Sequence, residues 1–361
     1  MSGSLPVVID KGSATHRVLI ALGCVVLAVA LWFAPTQLPG FRLDQVTLAL
    51  IFALAIMGLN LLTGFTGQIS LGHSAFFGLG AYTSGVLIDS HDWGYARTFP
   101  ISIGLCFVVG VVSGLPALRI KGLYLALVTL SIAVVFPTIL RRYDSITGGS
   151  SGLNVSRRAI RPPDWSNISS DDSEIWNYWL VVGVGAICFL LVRNLLRTRT
   201  GRAIIAVRDN EVAAATVGVN AAVFKTIVYG LSAALAGLAG SLYCIQTRAL
   251  SPQSFELTLA IQLLTGMVLG GVATLAGPII GGFMVVFVPY YVSDAAQRLE
   301  RPQLSNVIFG VLLIVFMFVA PGGLVGLWRK LTAKLLRIVP VARRREPPTA
   351  LDGTAAAVGR T

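Results

Sequence analysis

The chain reads as an all-α integral membrane protein of about ten transmembrane helices, with both termini cytoplasmic. Three observations predict this. Of 361 residues, 55% are hydrophobic and only 12% charged, with a mean hydropathy of +0.78; a soluble domain needs about twice that charged fraction to cover its surface. Apolar runs of roughly 20 residues recur along the chain, each long enough to cross a hydrocarbon core of about 30 Å. Within them small residues recur at helical spacing, which argues for helices over a barrel, because backbone in hydrocarbon must satisfy its own hydrogen bonds.

In chain order, spans are expected near 18–34, 44–62, 68–88, 100–117, 122–140, 176–193, 223–245, 258–275, 277–293 and 304–320. The first follows a basic start and could be taken for a signal peptide. Its apolar run lacks a clean small-x-small cleavage site before Pro35, which favours a retained helix. The third opens with TGFTGQISLGHSAFFGLGAY (63–82), where Gly64, Gly67 and Gly72 break the helix start. In the same stretch Gln68, Ser70, His73 and Ser74 set polar groups in an apolar context. Such breaks at membrane depth are tolerated only where the backbone is buried in protein or faces a cavity. Two readings stay open there: a substrate route, or a short turn whose Gln68 and His73 bond to neighbouring helices.

Later spans carry small-residue stripes: Ala233, Gly237 and Ser241; Gly266, Gly270 and Thr274; Gly277 and Gly281. Ser70, Ser74 and Gly78 form another. Residues of this size four apart let backbones approach closely and predict mutual helix packing. Leu-Leu-Thr-Gly occurs at 61–64 and again at 263–266, either by chance or as a trace of an internal repeat. From Trp328 to Val339 apolar and basic residues alternate as in an interfacial helix, and the rest reads as disordered. The expected organisation is a tail at 1–17, a transmembrane domain at 18–325 holding an outer loop at 141–175 and a cytoplasmic segment at 200–219, and a basic tail at 326–361.

Orientation follows from the basic residues. With both termini inside, the inner segments hold 18 of the 28 Lys and Arg, and five of the remainder lie in the long loop 141–175, where charges orient a protein weakly. The net charge of +12 therefore sits at span ends and in the tail, facing anionic lipid, and does not imply nucleic acid. Cys24, Cys106, Cys188 and Cys244 fall inside spans without ligand spacing and behave as small hydrophobes.

What is missing narrows the function. No span carries Asp, Glu, Lys or Arg near its centre, as ion-coupled carriers and voltage sensors require. No selectivity-filter loop is evident. There is no G-x-x-x-x-G-K-[ST], and no Ser/His/Asp set or paired carboxylates, so neither a P-loop nor a catalytic site is expected. No cofactor or metal is expected either. A transporter of this composition needs an outside source of energy.

The cytoplasmic segment 200–218 is built to meet one. Thr200 and Gly201 open a predicted short helix, Arg202 to Val207; Asp209 or Asn210 caps a second, Glu211 to Val217, closed by Gly218. Ile204, Ile205, Val212 and Ala213 to Ala215 are expected to be exposed, making a knob for the groove of a soluble motor. An interfacial loop lying on lipid is the alternative.

At LNLLTGFTGQISLGHSAFFGLGAY (59–82), GLYLALVTLSIA (122–133), SITGGSSGL (145–153), GRAIIAVRDNEVAAATVGVN (201–220), LSAALAGLAGSLY (231–243) and LLTGMVLGGVATLAGPIIGG (263–282), the chain resembles the permease subunits of bacterial ABC importers for branched-chain amino acids, of the LivM type. The resemblance implies the type II-like ABC importer permease bundle, in the bacterial inner (plasma) membrane. It implies a second related permease subunit, two cytoplasmic ATP-binding subunits and an extracytoplasmic substrate-binding protein, with no nucleic acid. On that reading Gly201, Arg202, Arg208, Asp209, Glu211, Ala214 and Gly218 couple to the ATPases. The pathway runs past Gln68, Ser70, His73, Ser74, Thr129, Ser131, Gln262 and Thr265. Loops 141–175 and 246–257 face the binding protein, with Asp164, Asp171, Asp172 and Glu174 available for contacts. Ser151 stands where relatives are expected to have Asp, so no docking or gating role carries over to it. Relatives also handle urea and short amides, and a self-sufficient channel or facilitator for a small neutral solute, or a non-conducting scaffold, remain the other readings.

Overall fold

Nine of the ten expected spans coincide with helices in the computed structural model, which describes residues 7–10, 29, 31–116, 122–156, 162–163, 173–298, 304–320 and 322–339. The first span lies almost wholly outside the described residues, as do Asp164, Asp171, Asp172 and the tail beyond Val339. The helices are α1 (Gly40–Leu59, continued by a π turn Asn60–Gly64), α2 (His73–His91), α3 (Tyr95–Gly114), α4 (Leu123–Arg142) and α5 (Ser173–Arg197). Then come the short α6 (Arg199–Asp209) and α7 (Glu211–Thr216), followed by α8 (Ala221–Thr247), α9 (Leu257–Gly270), α10 (Gly277–Arg298), α11 (Leu304–Val319) and α12 (Gly323–Leu335).

Among the described residues, six helices are long and apolar enough to cross a membrane: Gly40–Gly64, Tyr95–Gly114, Tyr124–Arg142, Ser173–Arg197, Ala221–Thr247 and Gly277–Arg298. The helix α2 is too polar to stand among them, and the reason is its place. It packs between α8, α3 and α4, where neighbouring helices rather than lipid set its side chains. With 14 residues, α9 is short.

The core forms around α1 and α8. α8 packs on α1, α2 and α3, while α1 also meets α5, α9 and α10. The α8 stripe works as its spacing predicts. A Cβ on Gly240 would run into the Phe77 carbonyl oxygen, and one on Gly80 into that of Gly237, so the α2 and α8 backbones touch. Ser241 Oγ closes the seam by donating to the Gly80 carbonyl at 3.3 Å. The two Leu-Leu-Thr-Gly copies do not match in form: 61–64 lies in the π turn and 263–266 within α9.

Loops alternate between two ends of the bundle. At one end Gln246 donates to Asp44 at 2.7 Å, Arg141 pairs with Glu256 at 2.6 Å, and Trp176 Nε1 donates to the Tyr95 hydroxyl at 2.9 Å. A two-residue antiparallel ribbon, Leu153–Asn154 with Ala249–Leu250, ties the two long loops together there. At the other end lie the α1–α2 break, the α6–α7 pair and the α9–α10 turn.

The described residues are mostly helical, as the fold class predicts, and one expectation needs correction. Besides that ribbon, Val7–Asp10 runs parallel to Leu336–Val339 in a separate small unit made of the two ends of the chain. The helix expected over Trp328 to Val339 accordingly stops at Leu335. Ile338 and Val339 are β-branched and favour the extended ladder.

The α2–α8 contact gives a direct test. Gly240→Val should cost about 1–3 kcal/mol or more, because rigid backbone faces the added atoms. A lowered melting temperature of the purified protein in detergent would show it, whereas Gly183→Ala, which meets nothing within 4 Å, should leave it near the original value.

Candidate functional site

The apolar run of α1 does not end at a surface. Its last turn widens into a π turn over Asn60–Gly64, a form that marks functional sites in many helices. Asn60, 2% exposed, makes the break possible. Its Oδ1 accepts from the Ala273 amide and its Nδ2 donates to the Thr274 carbonyl, each at 2.8 Å, so one side chain satisfies the α9–α10 turn. Beyond it the chain folds back on itself. Thr63 Oγ1 donates to the Gln68 carbonyl at 3.0 Å, and Thr66 Oγ1 donates to the Leu62 carbonyl. Gly67 turns the backbone at φ +72°, a region that suits glycine.

The polar residues of this segment divide into held and unpaired groups. Ser232 on α8 donates its one proton to the Gly58 carbonyl at 2.5 Å. His73 Nε2, 2.7 Å from Ser232 Oγ, must then be the donor, which leaves Nδ1 to accept from Ser70 Oγ at 3.2 Å. His73 is therefore a neutral clamp joining α2, α8 and the break. Thr129 Oγ1 on α4 accepts from the Leu71 amide at 2.9 Å. Gln68 and Ser74 differ: both are buried, and neither the Gln68 amide nor the Ser74 hydroxyl has a partner among the described residues. A buried amide without a partner costs several kcal/mol in a dry setting, on the order of 2–7, so such groups call for a water or a passing solute.

The structure thus brings Gln68, Ser70, His73, Ser74 and Thr129 together. It does not bring Ser131, which is exposed on the outer face of α4 and bonded only to the Leu127 carbonyl at 3.0 Å. Thr265 lies half-buried on α9, and Gln262 lines a cleft at the opposite end of the bundle.

The helical pair forms by three caps in series. Thr198 accepts from the Gly201 amide at 3.4 Å, Asn210 from Ala213 at 3.0 Å and Asn220 from Val223 at 3.3 Å. Of the two expected caps of α7, Asn210 serves and Asp209 does not; α6 starts at Arg199, three residues before the predicted Arg202. Ile204 and Ala214 are buried and Ile205 half-buried, not exposed as expected, while Ala213 and Ala215 are exposed; Val207 is buried beside Ile204, because the pair lies on its apolar side against the bundle. Val212 and Val217 remain exposed, with Arg202 and Asp209. Gly201 packs on the end of α5, Gly218 turns at φ +83°, and Glu211 pairs with Lys225 on α8 at 2.7 Å. Arg208 makes the contact no spacing predicts. It pairs with Asp209 at 2.8 Å and donates to the Gly64 carbonyl at 3.3 Å, where α1 breaks.

The family model described as "Branched-chain amino acid transport system / permease component" matches residues 42–317. The chain is 30% identical over 336 residues to the high-affinity branched-chain amino acid transport system permease protein LivM of Escherichia coli (strain K12), covering 88% of this chain and 77% of that one. It is 28% identical to the LivM protein of Salmonella typhimurium with the same coverage, and 24% identical over 303 residues to the LivH permease protein of Salmonella typhimurium, covering 78% of this chain and 94% of that one. No solved structure matches.

Two working residues escaped the sequence reading, Asn60 and Ser232. Asn60 had a signal, since it is a lone amide in an otherwise apolar run. Replacing it with Ala strands two part-buried backbone groups, each worth up to about 1–3 kcal/mol when left unpaired. Asn60→Ala should therefore lower the melting temperature of the purified protein more than Thr63→Val, which removes one bond at a half-buried position; equal shifts would count against the clasp.

Proposed function

The chain belongs to the branched-chain amino acid transport system permease family, multi-pass proteins of the bacterial inner membrane, and from that premise we propose that it is the non-catalytic permease subunit of an ATP-driven importer for branched-chain or other hydrophobic amino acids. Separate ATP-binding subunits supply the energy, and an extracytoplasmic binding protein delivers the solute. A second permease protein completes the pathway; that both LivM- and LivH-named permease proteins match this chain supports two related subunits. The basic-residue count supports placing the α6–α7 end in the cytoplasm.

The contact that carries the mechanism is Arg208 on the Gly64 carbonyl. Force on the exposed side of α6 and α7, at Arg202, Asp209 and Val212, reaches the break of α1 through that guanidinium, while half-buried Glu211 ties α7 to Lys225 on α8. Gly201, Ala214 and Gly218 keep the pair stiff: Gly201 and Ala214 pack inward, and Gly218 ends the second helix in a fixed turn. The break is the natural hinge, since its backbone is held by side chains instead of a continuing helical ladder. Displacing it moves Gln68, Ser70, Ser74 and Thr129 together, with His73 holding the start of α2 to α8. Gln68 and Ser74 then offer their unpaired groups to a zwitterion in transit, and Gln262 and Thr265 mark its course along α9.

Proteoliposomes holding the complete complex test this. ATP-dependent leucine uptake is expected from the complex, and no flux from the purified chain alone; flux through the chain alone would make it a facilitator. Arg208→Ala should lower leucine uptake per ATP hydrolysed about tenfold, the scale of one charge-assisted hydrogen bond, with ATP hydrolysis itself retained. Unchanged coupling would remove Arg208 from the transmission path.

A further inference from the structure

At the end of the bundle opposite the break, a cleft of about 260 Å³ opens between α1, α2, α8 and α9. Its two walls differ in chemistry. One is aromatic: Phe52, Phe77 and Tyr243 meet with ring centroids 5.3–6.3 Å apart. The other is neutral and mostly polar, made by Gln253, Ser254, Thr258 and Gln262, with Leu259 among them, from a single stretch of chain. Phe255, 0% exposed, anchors that stretch by inserting between Phe77, Tyr82 and Tyr243. Gln253 and Thr258 are exposed and Gln262 is half-buried, so their donors and acceptors lie open to solvent in the cleft, while Ser254 bonds to the Ser251 hydroxyl at 3.2 Å. None of the lining residues is charged. Nearby charges are already engaged, Arg141 with Glu256 at 2.6 Å and Asp44 with Gln246 at 2.7 Å.

We infer that this cleft is a receiving site for an aliphatic α-amino acid, with the side chain on the three rings and the polar α-groups toward the amides and hydroxyls of 253–262. The assignment rests on the importer reading above and adds to it that the permease itself discriminates by side chain. Three observations carry it together: the size, which suits one small solute and falls below the roughly 300–1,000 Å³ of larger ligand sites; the division into an apolar and a neutral, mostly polar wall; and the solvent-open amide and hydroxyl groups on the second. Net-charged solutes find no counter-ion. Glycine finds no use for the rings.

The test uses Thr258→Cys, a substitution at an exposed cleft position, in the complete complex without the binding protein. A neutral methanethiosulfonate reagent labels the new thiol, with the unsubstituted chain reporting any labelling of Cys24, Cys106, Cys188 and Cys244. A monodisperse elution profile establishes that the variant has folded. L-Leucine should slow labelling, and the concentration needed should fall about two- to fourfold per added carbon from glycine through alanine and valine to leucine, the fuller value being that of a wholly buried methylene. Equal protection by glycine and leucine, protection by urea or acetamide alone, or none at all would overturn the assignment. Uptake by the unsubstituted complex separates the two claims. Normal ATP-dependent uptake with ungraded protection removes the cleft and keeps the importer; graded protection without ATP-dependent uptake keeps the cleft and removes the importer.

Discussion

A helix that stops inside a bundle leaves carbonyl and amide groups with nothing to bond, and in a membrane water cannot make up the loss. The side chain of Asn60, at the end of α1, resolves this for the neighbouring turn where α9 ends, by accepting from the Ala273 amide and donating to the carbonyl of Thr274. Much else hangs on that clasp. It fixes the α9–α10 turn beside the break, sets where Gly64 presents its carbonyl to Arg208, and frees the chain from 64 to 72 to run as a loop among helices.

The helices were legible because hydropathy and small-residue spacing act locally. The 44–62 run and the Ala233, Gly237, Ser241 stripe each announce a spanning helix and one packing face. The boundaries were less so. The third span begins at His73, five residues later than periodicity suggests, since the Leu71 amide is held by Thr129 on α4 and His73 itself by Ser232 on α8. Burial in the helical pair was misread for a related reason: Ile204 and Ala214 face inward, and which face of a short amphipathic helix meets the bundle depends on partners distant in sequence. Arg208 belongs to the same class, being separated from Gly64 by 144 residues. Of the candidate route residues, the cluster around His73 was readable from polarity in an apolar run. Ser131 carried the same signal yet points outward, as one polar residue on a helix satisfied by its own carbonyl can.

The two ends of the helical bundle are built differently. At the break, polar side chains bond to backbone and to each other, and the unpaired remainder is small and buried. At the cleft, aromatic rings do the packing and the polar groups are left open to solvent. The first arrangement suits a hinge, where bonds must exchange as the backbone moves. The second suits reception, where the protein should not change shape before the solute arrives.

The shortness of α9 has a consequence for the membrane itself. Fourteen residues span about 21 Å, against a hydrocarbon core of about 30 Å, and both ends of this helix run into hydrogen-bonded turns set within the protein. The turns at the two ends of α9 therefore stand roughly a third closer together than the faces of the hydrocarbon core. A helix of this length leaves its end groups at hydrocarbon depth, so other parts of the protein, not water, have to satisfy them.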